Sequence, residues 1–394
     1  MKTANHRILI KTTCVLLVLL TSASLVEAYP PDNAAVLYYK AIMILKEPSE
    51  DVGKMIDDLR KGKIKSNDEI KQHLDANRRA IEIIETAAEI PTCDWGRDHS
   101  QGFDLLLPEL SKVRKMAYLL TADAQTFAQD GDRKAALSKC LTMHKMARHV
   151  NDDLLISYLV STSVNNLANE RIRDVLSTMP QDSKTLAWLK TQIAAVSANV
   201  PSIKTAIAKE KEIAIREIRR EKIGDVLDAM GADSIDDKAT ADAYKKVRQG
   251  DRKFFKDSRD YYGRIMDDTI AALDLPYQQS HRKLDELNDR VQKDAKENPA
   301  AILTAMLTPA VGKIRTAETK NKTFFNAIRA SVDIYMVKAK TGRLPEKLPA
   351  DSPKDLFSGK DFEYDKTKDG FVLRCQAKDL DKDEIYQYEF KVAK

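Results

Sequence analysis

Apolar residues follow three regimes along this chain: an unbroken run near the N-terminus, stripes of spacing three and four through the long middle, and strict alternation near the C-terminus. The middle predicts helices. Asp32 or Asn33 can cap a short helix running to about Lys46, and Pro48 stops it. Ser66-Asn67-Asp68-Glu69 reads as a capping box, in which serine and glutamate satisfy each other's backbone amides. The helix after it carries Ile70, Leu74, Ile81, Ile84 and Ala88 on one side and ends before Pro91.

The cleanest pattern follows. Leu110, Val113, Ala117, Leu120, Ala124 and Phe127 form one stripe; Ala136, Cys140, Met143 and Ala147 form a second; Ile156, Val160, Ser163 and Leu167 form a third. Gly131-Asp132 and Asn151-Asp152 separate them. Such short breaks force antiparallel neighbours, so a three-helix up-and-down layer is expected from about 108 to 177. Ala124, Phe127, Ala136 and Cys140 with the Gly-Asp turn look like one tetratricopeptide unit, but no fixed period recurs, and the reading is an ordinary helical hairpin.

From Ser183 to about Lys296 the pattern stays helical with more charge, and Gly231 to Asp237 reads as a loop. Ile203 to Val226 mixes Lys, Arg and Glu at three- and four-residue spacing, as on a solvated helix laced with ion pairs. A helix from about Ala317 to Thr341 shows Phe324, Ile328, Val332 and Tyr335 on one stripe, with Gly342 as its cap and Pro345 and Pro349 beyond. Then the period becomes two. Phe362 and Tyr364, then Phe371, Leu373 and Cys375, then Tyr386, Tyr388, Phe390 and Val392 predict three short strands around the Lys368-Asp369-Gly370 turn. Three strands with one apolar face need a cover, and the Phe324–Tyr335 stripe is the nearest. The expected fold is therefore mainly α: an antiparallel helical array at 29–315, as one unit or two with a break near 178–200, then a small α+β module at 316–394, a long helix plus a three-stranded antiparallel sheet.

The N-terminal run, Thr12 to Val26, follows Lys2, Arg7 and Lys11 and precedes Val26-Glu27-Ala28, with small residues where a signal peptidase cuts. At about 15 residues it falls short of a membrane span. Residues 1–28 are expected to be a signal peptide cleaved after Ala28, leaving an exported chain, periplasmic or extracellular, with no membrane span. Acid and base are interspersed at a net charge of +5, which leaves no nucleic-acid footprint. The expected partners are protein or envelope components. Cys93, Cys140 and Cys375 remain after cleavage and allow one disulfide, with Cys93–Cys140 the pair to test.

The tail carries a resemblance. Thr341-Gly342-Arg343-Leu344-Pro345, Asp355-Leu356-Phe357-Ser358-Gly359-Lys360, Phe362 to Tyr364 and Asp369-Gly370-Phe371 resemble the C-terminal part of type II secretion pseudopilins. Leu356 stands where that family has proline, and the N-terminus has neither a prepilin cleavage motif nor the long helix that follows it, so pilus assembly is not implied. The whole layout, with Asn33-Ala34-Ala35, Asp94-Trp95-Gly96 and Asn298-Pro299, resembles uncharacterised exported proteins of planctomycete-type bacteria, a likeness that implies location and fold. The pseudopilin likeness also implies calcium in the loop before the last strand. Here Asp379, Asp381 and Asp383 offer alternating oxygen ligands, while Lys382 among them opposes a cation and Glu384 and Phe390 depart from an EF-hand.

Other chemistry is sparse. Cys93-Asp94-Trp95-Gly96-Arg97-Asp98-His99 sets a nucleophile, Cys93, near a base, His99; the competing expectation is that Trp95 plugs the helical layer while Asp94 or Asp98 caps a turn. His144 and His149, near Asp152 and Asp153, are spaced to point about 140° apart on a helix, which argues against a shared metal. His144 is expected at the core's border and His149 near a helix end that favours a cation. The leading expectation is a non-catalytic exported helical scaffold or binding protein. The alternatives are a calcium-binding accessory of a secretion or envelope machine, and an exported hydrolase using Cys93 and His99.

Overall fold

A computed structural model describes residues 32–151, 153–178, 182–197, 202–219, 221–224 and 238–392. The expected signal peptide at 1–28, Asp152 and the expected loop at 231–237 lie outside the described residues. The fold is mainly α-helical with a small antiparallel sheet at its C-terminal end.

Helix α1 (Ala34–Ile44) starts where Asn33 accepts a hydrogen bond from the Ala35 amide, and α2 (Glu50–Arg60) where Ser49 accepts from Val52. The expected helix from 67 to 90 is divided into α3 (Asp68–Ala76) and α4 (Arg78–Glu89). The break has a tertiary cause. The amide of Asn77 pairs with the backbone of Lys46, receiving its N–H at 2.8 Å and donating to its carbonyl at 3.1 Å, which ties the helix to the exit of α1. The cap also differs from the expected box. Asn67 accepts from the Ile70 amide, while the Ser66 hydroxyl turns to Thr126 at 2.8 Å.

The three stripes fold as expected into an antiparallel layer: α5 (Pro108–Gln129), α6 (Arg133–Val150) and α7 (Leu155–Thr178). Gly131, at φ +92°, makes the first turn, and Asp132 caps α6 through the Ala135 amide. Next come α8 (Ser183–Ser197), α9 (Ile203–Glu217), α10 (Lys238–Arg248), α11 (Arg252–Ala272), α12 (Tyr277–Glu297) and α13 (Ile302–Leu307). The long α14 (Val311–Thr341) begins six residues before the apolar stripe suggested and ends at Gly342 in the left-handed region. No helix among the described residues is long and apolar enough to cross a membrane.

Strands β1 (Glu363–Thr367), β2 (Gly370–Arg374) and β3 (Gln387–Lys391) pair in sequence order. Phe371 faces Phe390 and Leu373 faces Tyr388, and these four side chains make the sheet's buried face. Helix α14 covers it, as the stripe predicts: Phe324 stacks on Tyr388 at 5.0 Å, and Tyr335 meets Phe371 edge-on at 5.3 Å.

Burial falls into two main cores. One runs through α1 to α8 and continues into the C-terminal part of α14 and the sheet. The other joins α9 to α13 with the start of α14, and Tyr158 of α7 belongs to it. Buried Glu318 of α14 sits between the two. It accepts from the Tyr158 hydroxyl at 2.9 Å and from Lys322 at 2.7 Å, and lies 2.5 Å from Arg315. Burial pushes its carboxyl up, but these two cations win and hold it below the ordinary value. Helix α14 is thus the spine that both cores share.

Candidate ligand-binding site

The structure puts the sequence-derived candidates into two structural staples. In the first, the Asp94 amide donates to the Asn33 side chain at 2.8 Å, and the Asn33 amide donates back to the Asp94 carbonyl at 2.7 Å. Trp95 plugs the helical layer: it stacks on Tyr38 at 5.5 Å and donates its indole N–H to the His149 carbonyl at 2.7 Å. Arg97 reaches inward to buried Glu109 at 2.6 Å and to the Ser157 hydroxyl at 3.0 Å. Asp98 caps the short 3-10 turn that begins at His99, accepting from the Ser100 amide and hydroxyl. Burial pushes the Cys93 thiol up to about 12, against the opposing charge of Arg97, so at neutral pH it is a protonated thiol and a poor nucleophile. Cys93, Cys140 and Cys375 are all free thiols, with Cys140 wholly buried on α6.

In the second, the acidic loop before β3, the three carboxylates diverge. Asp379 is buried, accepting the Asp381 and Lys382 amides on one oxygen and the Tyr386 hydroxyl on the other. Asp381 turns to the imidazole of His281 on α12 at 2.9 Å. Burial raises Asp381, but hydrogen bonds from Thr316 and His281 and the charges of His281 and Lys313 hold it below its ordinary value. Asp383 points outward to Lys378 at 2.8 Å. Further bonds, Leu380 to the Tyr277 hydroxyl and Gln278 to the Lys378 carbonyl, tie this loop to α12. Among the described residues no three His, Cys, Asp or Glu side chains converge as a metal site.

His144 and His149 face different neighbours. His149 lies 3.0 Å from the Tyr38 hydroxyl, and burial, aided by Arg148, pushes it down to about 4, so the ring is neutral where the helix end favours a cation. Asp153 sits exposed in the turn before α7.

His144 opens onto the site that sequence reasoning missed. A cavity of about 280 Å³ lies between α6, α7, the end of α8 and α14. His144 and Arg148 come from α6, Asn165 and Asn169 from α7, and Asn321, Phe325 and Arg329 from α14. Leu356 closes one wall. It is delivered there by the Asp355–Lys360 turn, in which buried Asp355 accepts from the amides of Phe357 and Gln376 and from the Ser358 hydroxyl. Leu356 is therefore part of the cavity.

Several polar atoms at this cavity are buried without a close partner. His144 Nδ1 lies 2.8 Å from Asn165 Oδ1, while its Nε2 is buried without a hydrogen-bond partner. Asn169 is 0% exposed, and its amide makes no close hydrogen bond; the His144 ring is its polar neighbour. A buried amide left unpaired costs roughly 1–3 kcal/mol, so atoms of this kind call for an explanation. Burial pushes His144 down to about 4 against the amides of Asn165 and Asn169, which keeps the ring neutral at ordinary pH.

Comparison of the chain with protein-family models, curated proteins and solved structures returns no match. The sequence signal that could have found the site is local. Asn165 and Asn169 stand four apart on the inner side of α7, where asparagine is a poor helix former and a costly residue to bury. On α14 the half-buried Asn321 and Asn326 donate instead to the Thr162 and Lys354 carbonyls.

Proposed function

We propose that this chain is a non-catalytic, exported binding protein that holds a small polar ligand in the cavity between α6, α7 and α14. The observation that carries the reading is the cavity itself, about 280 Å³, whose described lining sets Arg148, Arg329, Asn165 and Asn321 around one opening. Pockets that bind small molecules combine apolar walls with a few convergent polar groups, and Phe325, Val196 and Leu356 supply the walls here. Export rests on the charged start, short apolar run and Ala28 cleavage signal. The neutral thiol of Cys93 and the structural ties of its loop weigh against a hydrolase built on that residue. A second reading, a calcium-bound accessory working through the tail, finds its three carboxylates committed to different partners.

The test combines native mass spectrometry of the gently purified chain with assays against peptide, ester and glycoside panels. The expected result is a small molecule released on unfolding and no turnover that depends on Cys93. Turnover that disappears in Cys93→Ala, with no ligand retained, would overturn the reading.

A further inference from the structure

We infer that a second site lies in the groove between α4, α6 and α8, and that it takes a neutral saccharide against Trp188. It goes beyond the cavity reading above, and the two sites share no lining residue.

Packing makes the groove. Helix α6 packs against both α4 and α8. The space over it is about 360 Å³, with Leu141 and Thr142 of α6 as the buried floor. One wall is Glu85, Thr86 and Glu89 of α4, and the other is Trp188 and Gln192 of α8. That volume falls within the range of small-molecule sites. The chain has two tryptophans, and the fold uses them differently. Trp95 is a plug, 6% exposed. Trp188 is half-buried: it packs against the core and also lines the open groove. A large aromatic side chain left partly open at a concave polar surface is a natural anchor for a ligand, because its burial there releases more apolar area than any other residue would.

The free hydrogen-bonding groups specify the ligand's chemistry. The Ser138 and Thr142 hydroxyls, the Gln192 amide and the Trp188 indole N–H bond to no other group among the described residues. Together they donate and accept, and a ligand hydroxyl does both.

Charge and shape eliminate the other classes. Glu85 already holds Lys139 at 2.5 Å, and Glu89 holds Lys145 at 2.6 Å. Lys134 stands over the Trp188 ring, 5.4 Å from its centroid. A cationic ligand would find both acids taken and a lysine already at the ring. An anion would face the Glu85 and Glu89 carboxylates. An amphipathic helix needs an apolar groove, and only Leu141 and Trp188 of the described lining are apolar. An extended peptide needs a sheet edge to join, and these walls are helices. What fits is uncharged, rich in hydroxyls and apolar on one side, which describes a pyranose ring. Its C–H groups meet the ring surface that Trp188 gives to the groove. Its hydroxyls reach Ser138, Thr142 and Gln192, and can donate to Glu85 and Glu89 in charge-assisted bonds.

The test is a titration of the full chain, followed by NMR at the Trp188 indole N–H. The probes are cellohexaose, maltohexaose, mannohexaose and chitohexaose (as its N-acetylated form), with hexagalacturonate and spermidine as charged comparisons, each at up to tens of millimolar. At least one neutral hexasaccharide should move the Trp188 signal saturably with a dissociation constant of about a millimolar or below, leaving the Trp95 indole unmoved. Trp188→Ala should weaken that binding by about tenfold or more, Trp188→Tyr should restore part of it, and Gln192→Ala should weaken it by a few-fold, all with melting temperatures close to the parent's. Arg329→Gln, in the other cavity, should leave it unchanged. Hexagalacturonate or spermidine binding at Trp188 as tightly as the best neutral probe would overturn the neutral saccharide. Silence at Trp188 from all four neutral probes would overturn the site, as would saccharide binding that survives Trp188→Ala. None of these results bears on the cavity between α6, α7 and α14, which stands or falls on its own retained ligand.

Discussion

The Cys93–His99 loop and the cavity beside Asn169 hold similar kinds of side chain: arginine, histidine and groups that donate or accept hydrogen bonds. They differ in where those groups bond. In the loop, Asp94 is paired with Asn33, Trp95 with the His149 carbonyl, Arg97 with Glu109 and Ser157, and Asp98 with Ser100. In the cavity, the Asn169 amide and His144 Nε2 lie buried beside each other without a close hydrogen bond, and among the described residues Arg148 and Arg329 have no ion-paired acid. A polar group bonded to its own protein holds the fold. A buried polar group that faces a cavity unpaired marks the place where something else completes the structure. By this measure the loop is a clamp and the cavity is a site.

The largest test of the contrast is on the clamp. Glu109→Ala leaves the Arg97 guanidinium buried without its acid, and loss of one member of such a pair costs about 3–5 kcal/mol. Equilibrium urea unfolding should show that loss. An effect below about 1 kcal/mol would remove the loop's structural role.

Acidity comes next. His144 and His149 are both pushed down to about 4 by burial. The unfolded chain takes up their protons near pH 6.5 and the folded chain only near 4, so stability present above pH 6.5 is lost as pH falls toward 4. Each unit of depression is worth roughly 1.4 kcal/mol. Urea unfolding at a series of pH values should follow this slope, and NMR should show both rings neutral at pH 5.5. A ring already protonated there would contradict its burial.

A smaller effect is expected within the site. Asn169→Leu removes a buried amide whose polar neighbour is the His144 ring and should leave stability unchanged or raise it by up to about 1 kcal/mol, read as a melting temperature. A clear loss would mean that Asn169 is paired in solution. The smallest effect is none at all. Millimolar calcium should leave the melting temperature unmoved, because Asp379, Asp381 and Asp383 are held by three different partners. An upward shift abolished by Asp381→Ala would restore the acidic loop as a metal site.

The fold was largely legible because its signals are local. The stripes from Leu110 to Leu167 and from Phe324 to Tyr335 register helix faces directly, and the alternation from Phe362 onward registers a half-buried sheet. What escaped was set by contacts distant in sequence. The break at Asn77 depends on its pairing with Lys46, and Ser66 leaves its cap for Thr126. The cavity escaped for the same reason. His144, Asn169, Arg329 and Leu356 share no local motif, and only the packing of α6, α7 and α14 brings them together. The loop at Cys93 was conspicuous because its polar groups are adjacent in sequence, and adjacency there serves a turn.

The most direct measurement is a high-resolution crystal structure of the chain purified under native conditions, read at Asn169 and His144. The account predicts density that belongs to no residue of the chain, inside the cavity between α6, α7 and α14 and in contact with Arg148 or Arg329. A collapsed cavity, with Asn169 bonded to its own backbone or to neighbouring side chains, would contradict it.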